Sequence, residues 1–249
     1  MPIKYNVVIL AAGKGTRIHA TDKPKHLFKV KGVPIIGRLT DTFLRDENCA
    51  RLVLVIGFKG QQIVDYINAE FPAPIRGKIA FAWQRRLLGT AHATKIALTQ
   101  IKNKYPTFVF NGDHPFMSSA TTKKLARIFA KEQPTMIITT VKIKPDSSFG
   151  RIIKKNKLVE KIVEVKNCTP DELKILEGNV GAYFFDTTWL KERIVKVKKN
   201  QASGEYLLPD LLEMAVAEGK KVLSEQVENP VEALGINTLE NLADAQQAR

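Results

Sequence analysis

Gly13-Lys14-Gly15-Thr16-Arg17 is the stretch whose residue types and spacing most directly imply chemistry. It follows the apolar, β-branched run Tyr5–Ala11, so its backbone N–H groups can wrap a phosphate at the end of a strand. Two common phosphate loops are excluded. The Gly-Lys-Ser/Thr ending of a P-loop is missing, and Ile18 stands where a dinucleotide fingerprint needs its third glycine. A tight turn without a ligand is the ordinary alternative. The other reactive side chains form no hydrolytic set. The four histidines, His19, His26, His92 and His114, match no general-base arrangement, and no Ser/His/Asp or Cys/His constellation is recognisable. His92 reads as a helix-face residue and His114 as a loop neighbour of Asp113. Cys49 and Cys168 are far apart and lack metal-ligand spacing, which argues against a zinc site and a disulfide framework. The formal net charge of +14 suits either a lysine-rich solvated surface or a polyanion such as a nucleotide. Nucleic acid is disfavoured, because no helix-turn-helix, zinc finger or RNA-binding aromatic motif is present.

Such residues need a scaffold, and the chain of 249 residues, 44% hydrophobic and 26% charged, has the proportions of a folded protein. Tyr5–Ala11, Leu52–Ile56, Ile79–Trp83 and Thr107–Asn111 read as buried strands, with helices over about 34–46, 61–71 and 89–101 between them. That alternation predicts βαβ units, hence an α/β fold with a Rossmann-like, mostly parallel central sheet covered by helices on both faces. After about residue 115 the texture changes. Met136–Val141 and Asn179–Phe185 are strand-like, and Gly150–Ile153 with Leu158–Val163 reads as a β-hairpin turning near Lys155-Asn156. Amphipathic helices are predicted over Tyr206–Glu218 and Leu239–Ala248, the latter with Thr238 as N-cap. A single domain over 1–249 is expected, divided into halves of about 1–115 and 116–249. No apolar run approaches the roughly 20 residues of a membrane span. The N-terminus lacks the features of a secretory signal, so a cytoplasmic location is expected.

The glycine turn gains meaning from its context. Leu10-Ala11-Ala12-Gly13-Lys14-Gly15-Thr16-Arg17, followed by Pro24-Lys25, resembles the signature of nucleotidyltransferases that join an NTP to a sugar 1-phosphate. Further segments resemble one branch, the bacterial N-acetylglucosamine-1-phosphate uridyltransferases. They are Gln84 with Leu88-Gly89-Thr90-Ala91-His92-Ala93, Phe110-Asn111-Gly112-Asp113, Phe149-Gly150-Arg151-Ile152, Ile162–Lys166, Glu177–Gly181, Gly204–Asp210 and Gly235-Ile236-Asn237. The resemblance spans nearly the whole chain. It covers only the uridyltransferase half of two-activity members, and the hexapeptide repeats of a β-helix acetyltransferase domain are absent from it.

The resemblance implies UTP and a sugar 1-phosphate as substrates and Mg²⁺ as cofactor. Leu10 to Thr16 would hold the nucleotide phosphates, and Arg17 and Lys25 would offset charge that builds during transfer. Gln84, Gly89 and Thr90 would meet the base, since an amide both donates and accepts along the edge of uracil. Asp113 and Asn237 would hold the metal through hard oxygens. A helix N-cap or exposed turn acid is the alternative for Asp113. Gly150, Glu164, Asn179 and Tyr206 would meet the sugar; the alternative for Glu164 is a solvated hairpin position. The sugar phosphate would attack the α-phosphorus in line, needing no protein nucleophile. Val180, Asn111 and Pro209 depart from the branch pattern on the sugar side. A UDP- or dTDP-hexose pyrophosphorylase and a catalytically inactive nucleotide-binding module remain the alternatives. Oligomeric state is left open.

Overall fold

The computed structural model describes residues 3–18 and 20–248. His19, read above as having no general-base role, lies outside them, as do the first two residues. The strands are β1 (Tyr5–Ala11), β2 (Lys29–Val30), β3 (Val33–Pro34), β4 (Cys49–Ile56), β5 (Ile79–Trp83), β6 (Thr107–Asn111), β7 (Met136–Lys142), β8 (Arg151–Lys155), β9 (Leu158–Val163), β10 (Glu177–Phe185) and β11 (Val222–Gln226). The helices are α1 (Ile35–Leu44), α2 (Gly60–Glu70), α3 (Ala73–Arg76), α4 (Thr90–Leu98), α5 (Ser119–Glu132), α6 (Thr187–Arg193), α7 (Asp210–Ala217) and α8 (Leu239–Gln247).

The main sheet has the order β11-β7-β10-β6-β1-β4-β5. Its pairs β6-β1, β1-β4, β4-β5 and β11-β7 are parallel, while β10 runs antiparallel to both β6 and β7. Alternate residues of each strand enter opposite apolar layers. Val7, Ile9 and Ala11 join α1, α2, α5 and α8 on one face, whereas Val8, Val53 and Val55 join α4, α6 and α7 on the other. Helices on both faces bury both sides of the sheet, so its strands are continuous apolar runs, legible without alternation. The chain leaves β1 on one side to build β4 and β5, then crosses back to place β6 on the other. The carboxyl end of β1 is therefore the switch point where an open α/β sheet forms its crevice.

The hairpin forms as predicted, β8 against β9, with Asn156 and Lys157 at φ +50° and +69° in a two-residue turn. Thr238 caps α8, its hydroxyl accepting from the Asn241 N–H at 3.2 Å. Two helices are shorter than their periodicity predicts. The helix placed over 89–101 spans Thr90–Leu98, because Gly89 has a left-handed φ of +98° and cannot sit in a helix. The helix placed over Tyr206–Glu218 begins at Asp210. The Tyr206 N–H donates to Leu88 O at 2.8 Å and its carbonyl accepts from Ala91 N–H at 2.9 Å, so that backbone is already committed. Helices α5 and α6, the edge strand β11 and the small β2-β3 pair were not anticipated.

Candidate active site

Three chain segments converge at the carboxyl ends of β1 and β6. The Gly112 N–H donates to Leu10 O at 2.9 Å, so the chain leaving β6 stays against β1 and turns Asp113 inward. The Ile236 N–H donates to Asp113 O at 2.8 Å and brings Asn237 alongside. Gly15 takes φ +66°, where an added Cβ would stand 3.0 Å from Lys25 Cβ, so the glycine turn folds tightly over Lys25. Lys25 Nζ then donates to Asp113 Oδ2 at 2.7 Å and to Asn237 Oδ1 at 3.2 Å. Arg17 donates to the same Asn237 oxygen at 2.9 Å, across 220 residues of sequence.

Asp113 is only 7% exposed, and its Oδ1 is buried with no hydrogen-bond partner among the described residues. Burial acts to raise its carboxyl pKa, but the neighbouring Lys25 ammonium, His114 and the Lys25 hydrogen bond outweigh it and hold the group below the usual carboxylate range. His114 Nε2 stands 3.6 Å from Asp113 Oδ1, and its Nδ1 lies 3.2 Å from Glu232 O. His26, fully buried beside Lys25, is pushed down to about 3, first by burial and then by the Lys25 charge, so it stays neutral. Its presence in the site wall was not anticipated. Among the described residues no three His, Cys, Asp or Glu side chains gather as a metal cage. One carboxylate oxygen without a partner, Asp113 Oδ1, and one amide oxygen, Asn237 Oδ1 held by Lys25 and Arg17, are gathered here. That donor set is too small for a zinc or calcium cage and fits a cation that keeps waters or phosphate oxygens.

A cavity of about 390 Å³ opens beside this cluster. Leu10, Ala12, Gly13, Lys14, Thr16, Lys25, Gln84, Gly89, Thr90 and Asp113 all line it, joined by His26, Leu87, Asn111 and Glu205. Ala11, placed in the nucleotide set above, is instead a core residue with no exposure, and Gly15 serves the turn. A second, more open cavity of about 920 Å³ is lined by Arg17, His114, Lys142, Lys144 and Asn237. Phe149, Val180 and Gly235 from the quoted sequence segments also line it.

The four sugar-side residues line neither cavity. Asn179 is linked to the first through Gly181 and Tyr206 through the Leu88–Ala91 backbone, while Phe149 and Val180, next to Gly150 and Asn179, line the second. Gly181, at φ +78° in the bulge of β10, lies 3.2 Å from Asn111 Nδ2, measured from where its Cβ would be. Asn179 Oδ1 accepts from the Gly181 N–H at 3.0 Å, and Asn179 Nδ2 donates to Tyr183 Oη at 3.0 Å. The Asn179 N–H donates to Gly150 O at 2.9 Å, and an added Gly150 Cβ would stand 3.5 Å from Glu164 Oε1. Tyr206 is fixed by its backbone to the Leu88–Ala91 segment, with its side chain packed on the apolar layer under α4 and α7.

An open, doubly wound sheet with a glycine turn and a charged cluster at its switch point defines the architecture of a nucleotide-handling α/β protein. The sequence profile of the family described as Nucleotidyl transferase matches residues 6–229, and the chain belongs to that family. The chain is 34% identical over 242 residues to "Bifunctional protein GlmU" of Janthinobacterium sp. (strain Marseille), covering 97% of this chain and 51% of that one. It is 35% identical over 243 residues to the protein of the same name in Burkholderia multivorans, with the same coverage. It thus spans about half the length of these curated relatives. Among solved structures, a UDP-glucose pyrophosphorylase complexed with UDP-glucose superposes with a TM-score of 0.76 at 19% identity, over 98% of this chain and 97% of that one. A putative glucose-1-phosphate thymidylyltransferase from Bacillus anthracis gives 0.75 at 19% identity, over 98% and 94%. These two establish a shared fold. Among the described residues no helix is long and apolar enough to cross a membrane.

Proposed function

We propose that the chain transfers UMP from UTP to N-acetylglucosamine 1-phosphate, giving UDP-N-acetylglucosamine and pyrophosphate, as a single domain acting in the cytoplasm. The observation that carries this reading is the convergence of Lys25, Asp113, Asn237 and Arg17 beside a cavity walled by the glycine turn and Gln84.

The backbone of Ala12 to Thr16 binds the nucleotide phosphates, and Lys14 and Lys25 supply positive charge toward them. Asp113 Oδ1 and Asn237 Oδ1 would hold a Mg²⁺, which when bound neutralises phosphate oxygens as charge redistributes. Lys25 keeps Asp113 ionised and therefore able to serve as such a ligand. Gln84, Gly89 and Thr90 orient the base. Glu164, Gly150 and Asn179 orient the sugar, so that its phosphate oxygen faces the α-phosphorus opposite the pyrophosphate leaving group. The attacking oxygen is already anionic. The chain's contribution is positioning and charge stabilisation.

Pyrophosphate release tests this directly. Each of UTP, dTTP, CTP and ATP is offered with N-acetylglucosamine and glucose 1-phosphates in the presence of Mg²⁺. The highest kcat/KM should belong to UTP with N-acetylglucosamine 1-phosphate. Preference for CTP or ATP would sink the base assignment, and equal or better use of glucose 1-phosphate would sink the sugar.

A further inference from the structure

Gln84 follows β5, and its backbone N–H donates to Ile56 O at 2.8 Å, which fixes where the side chain emerges. The residue is 4% exposed and forms part of the cavity wall. Its Nε2 donates to Gly89 O at 3.0 Å and lies 3.0 Å from His92 Nδ1. A carbonyl oxygen only accepts, so the amide's NH₂ must face Gly89 and its orientation follows. The second NH₂ hydrogen then needs an acceptor at His92 Nδ1. That nitrogen must be unprotonated, with the ring proton on Nε2. Burial acts first to keep the His92 ring neutral, helped by the positive charges of Lys95 on the same helix and Arg86 in the preceding loop. Both donors of Gln84 are thereby used inside the protein. Oε1 has no hydrogen-bond partner among the described residues and is the amide atom left for a ligand.

Given UTP binding in this cavity as proposed above, we infer that His92 is a positioning residue for base selection: it holds Gln84 with only an acceptor toward the base, so the site selects a ring N–H over a ring lone pair. Uracil offers N3–H at that edge, whereas the N3 of cytosine carries a lone pair. Turning the amide over to suit cytosine would set Oε1 against Gly89 O, which only accepts, and would require His92 to move its ring proton from Nε2 to Nδ1. Either arrangement of a cytosine nucleotide leaves lone pairs facing each other or a buried donor unmet. His92 lies outside the cavity wall and acts through Gln84.

The test is equilibrium binding of UTP and CTP, each with Mg²⁺, to the full chain and to two variants. His92→Leu removes the acceptor, and His92→Asn replaces Nδ1 with an oxygen on the same carbon. His92→Leu should narrow the UTP-over-CTP preference by about fivefold, while His92→Asn keeps it within about twofold of the parent. If His92→Leu does not fold, His92→Ala carries the same expected narrowing. An unchanged ratio in the Leu or Ala variant, equal narrowing in the Asn variant, or a parent chain without preference for UTP would each overturn the assignment. Pyrophosphate release by the parent chain is scored separately. No release combined with an intact, His92-dependent UTP preference would sink the proposed transferase activity and support the positioning role.

Discussion

On the proposed nucleotide side, Lys25 and Asp113 are a buried, charged pair tied to Asn237. Lys25 and Asp113 have side chains 12% and 10% exposed and stand 2.7 Å apart. Asp113 directly follows parallel strand β6, and Lys25 lies between β1 and β2, where the tight glycine turn holds it against the carboxyl end of the sheet. On the proposed sugar side, the residues sit on an antiparallel hairpin and a bulged strand, with Lys154, Lys155 and Glu160 facing solvent. Asn179 there spends both ends of its amide inside the protein. Binding a triphosphate requires concentrated positive charge and close backbone approach, which few residue types supply. Recognising sugar hydroxyls requires only hydrogen-bonding groups, which many residues supply, so that region is free to vary.

The sharpest way to break this contrast is at Asp113. Asp113→Ala should lower Mg²⁺-dependent turnover by about a thousandfold or more while circular dichroism stays native-like. Near-normal turnover would show that the charged cluster is only structural.

Next in size is Gly89→Ala. A Cβ there would stand 2.5 Å from Tyr206 O, in a left-handed backbone conformation. Unfolding free energy should fall by about 2–4 kcal/mol in a denaturant titration, and UTP affinity should fall with it. A variant as stable as the parent would mean that the Leu88–Ala91 segment is loosely held, erasing the contrast with the hairpin.

A smaller and more selective effect is expected on the other side. Glu164→Ala should raise KM for the sugar phosphate roughly tenfold and leave KM for UTP within about twofold. Equal effects on both substrates would mean that the two regions do not divide the labour.

The smallest effect is a pH dependence of stability in the second half. Glu177 accepts from Thr140 Oγ1 at 2.9 Å, Ser224 Oγ at 2.7 Å and Lys154 Nζ at 2.6 Å, joining β10 to β7, β11 and β8. Burial acts to raise its pKa, and these three donors outweigh it, so the folded carboxyl lies below the ordinary value. A lowered folded pKa contributes stability that is present above the unfolded pKa of about 4.3 and is lost as pH falls through the folded one. Glu177→Gln should remove about 1 kcal/mol at neutral pH and flatten that acid loss, as read from Tm between pH 7 and 3. Parallel Tm profiles for parent and variant would refute this.

Much of the fold was legible. Buried parallel strands are short apolar runs, and Tyr5–Ala11, Ile79–Trp83 and Thr107–Asn111 coincide with β1, β5 and β6. Edge strand β11 was not, because Val222-Leu223-Ser224-Glu225-Gln226 is half polar and is held by pairing with β7. Helix α7 was drawn too long, since apolar spacing at Leu207 and Leu208 continues across backbone that Leu88 and Ala91 have already claimed. At the site, the glycine turn, Lys25, Gln84 and Asp113 stood out by type and spacing. His26 in the wall and His92 behind Gln84 did not. A lone histidine carries no positional signal until its neighbours are known.

The sequence by itself determined the alternation of strands and helices, the turn that Gly13 and Gly15 permit, and the supply of charged and amide groups. Those are local properties, fixed by backbone sterics and apolar periodicity. Tertiary structure alone decided that Asn237 joins Arg17 and Lys25 from more than 200 residues away. It also decided that Asp113 keeps one oxygen without a partner, and that Gln84 faces the cavity with its acceptor. Each depends on which groups are left unpaired once the sheet has closed. Hydrogen-bond satisfaction is a property of the whole packed assembly, since even neighbours in sequence show which groups they leave unpaired only once the chain is folded.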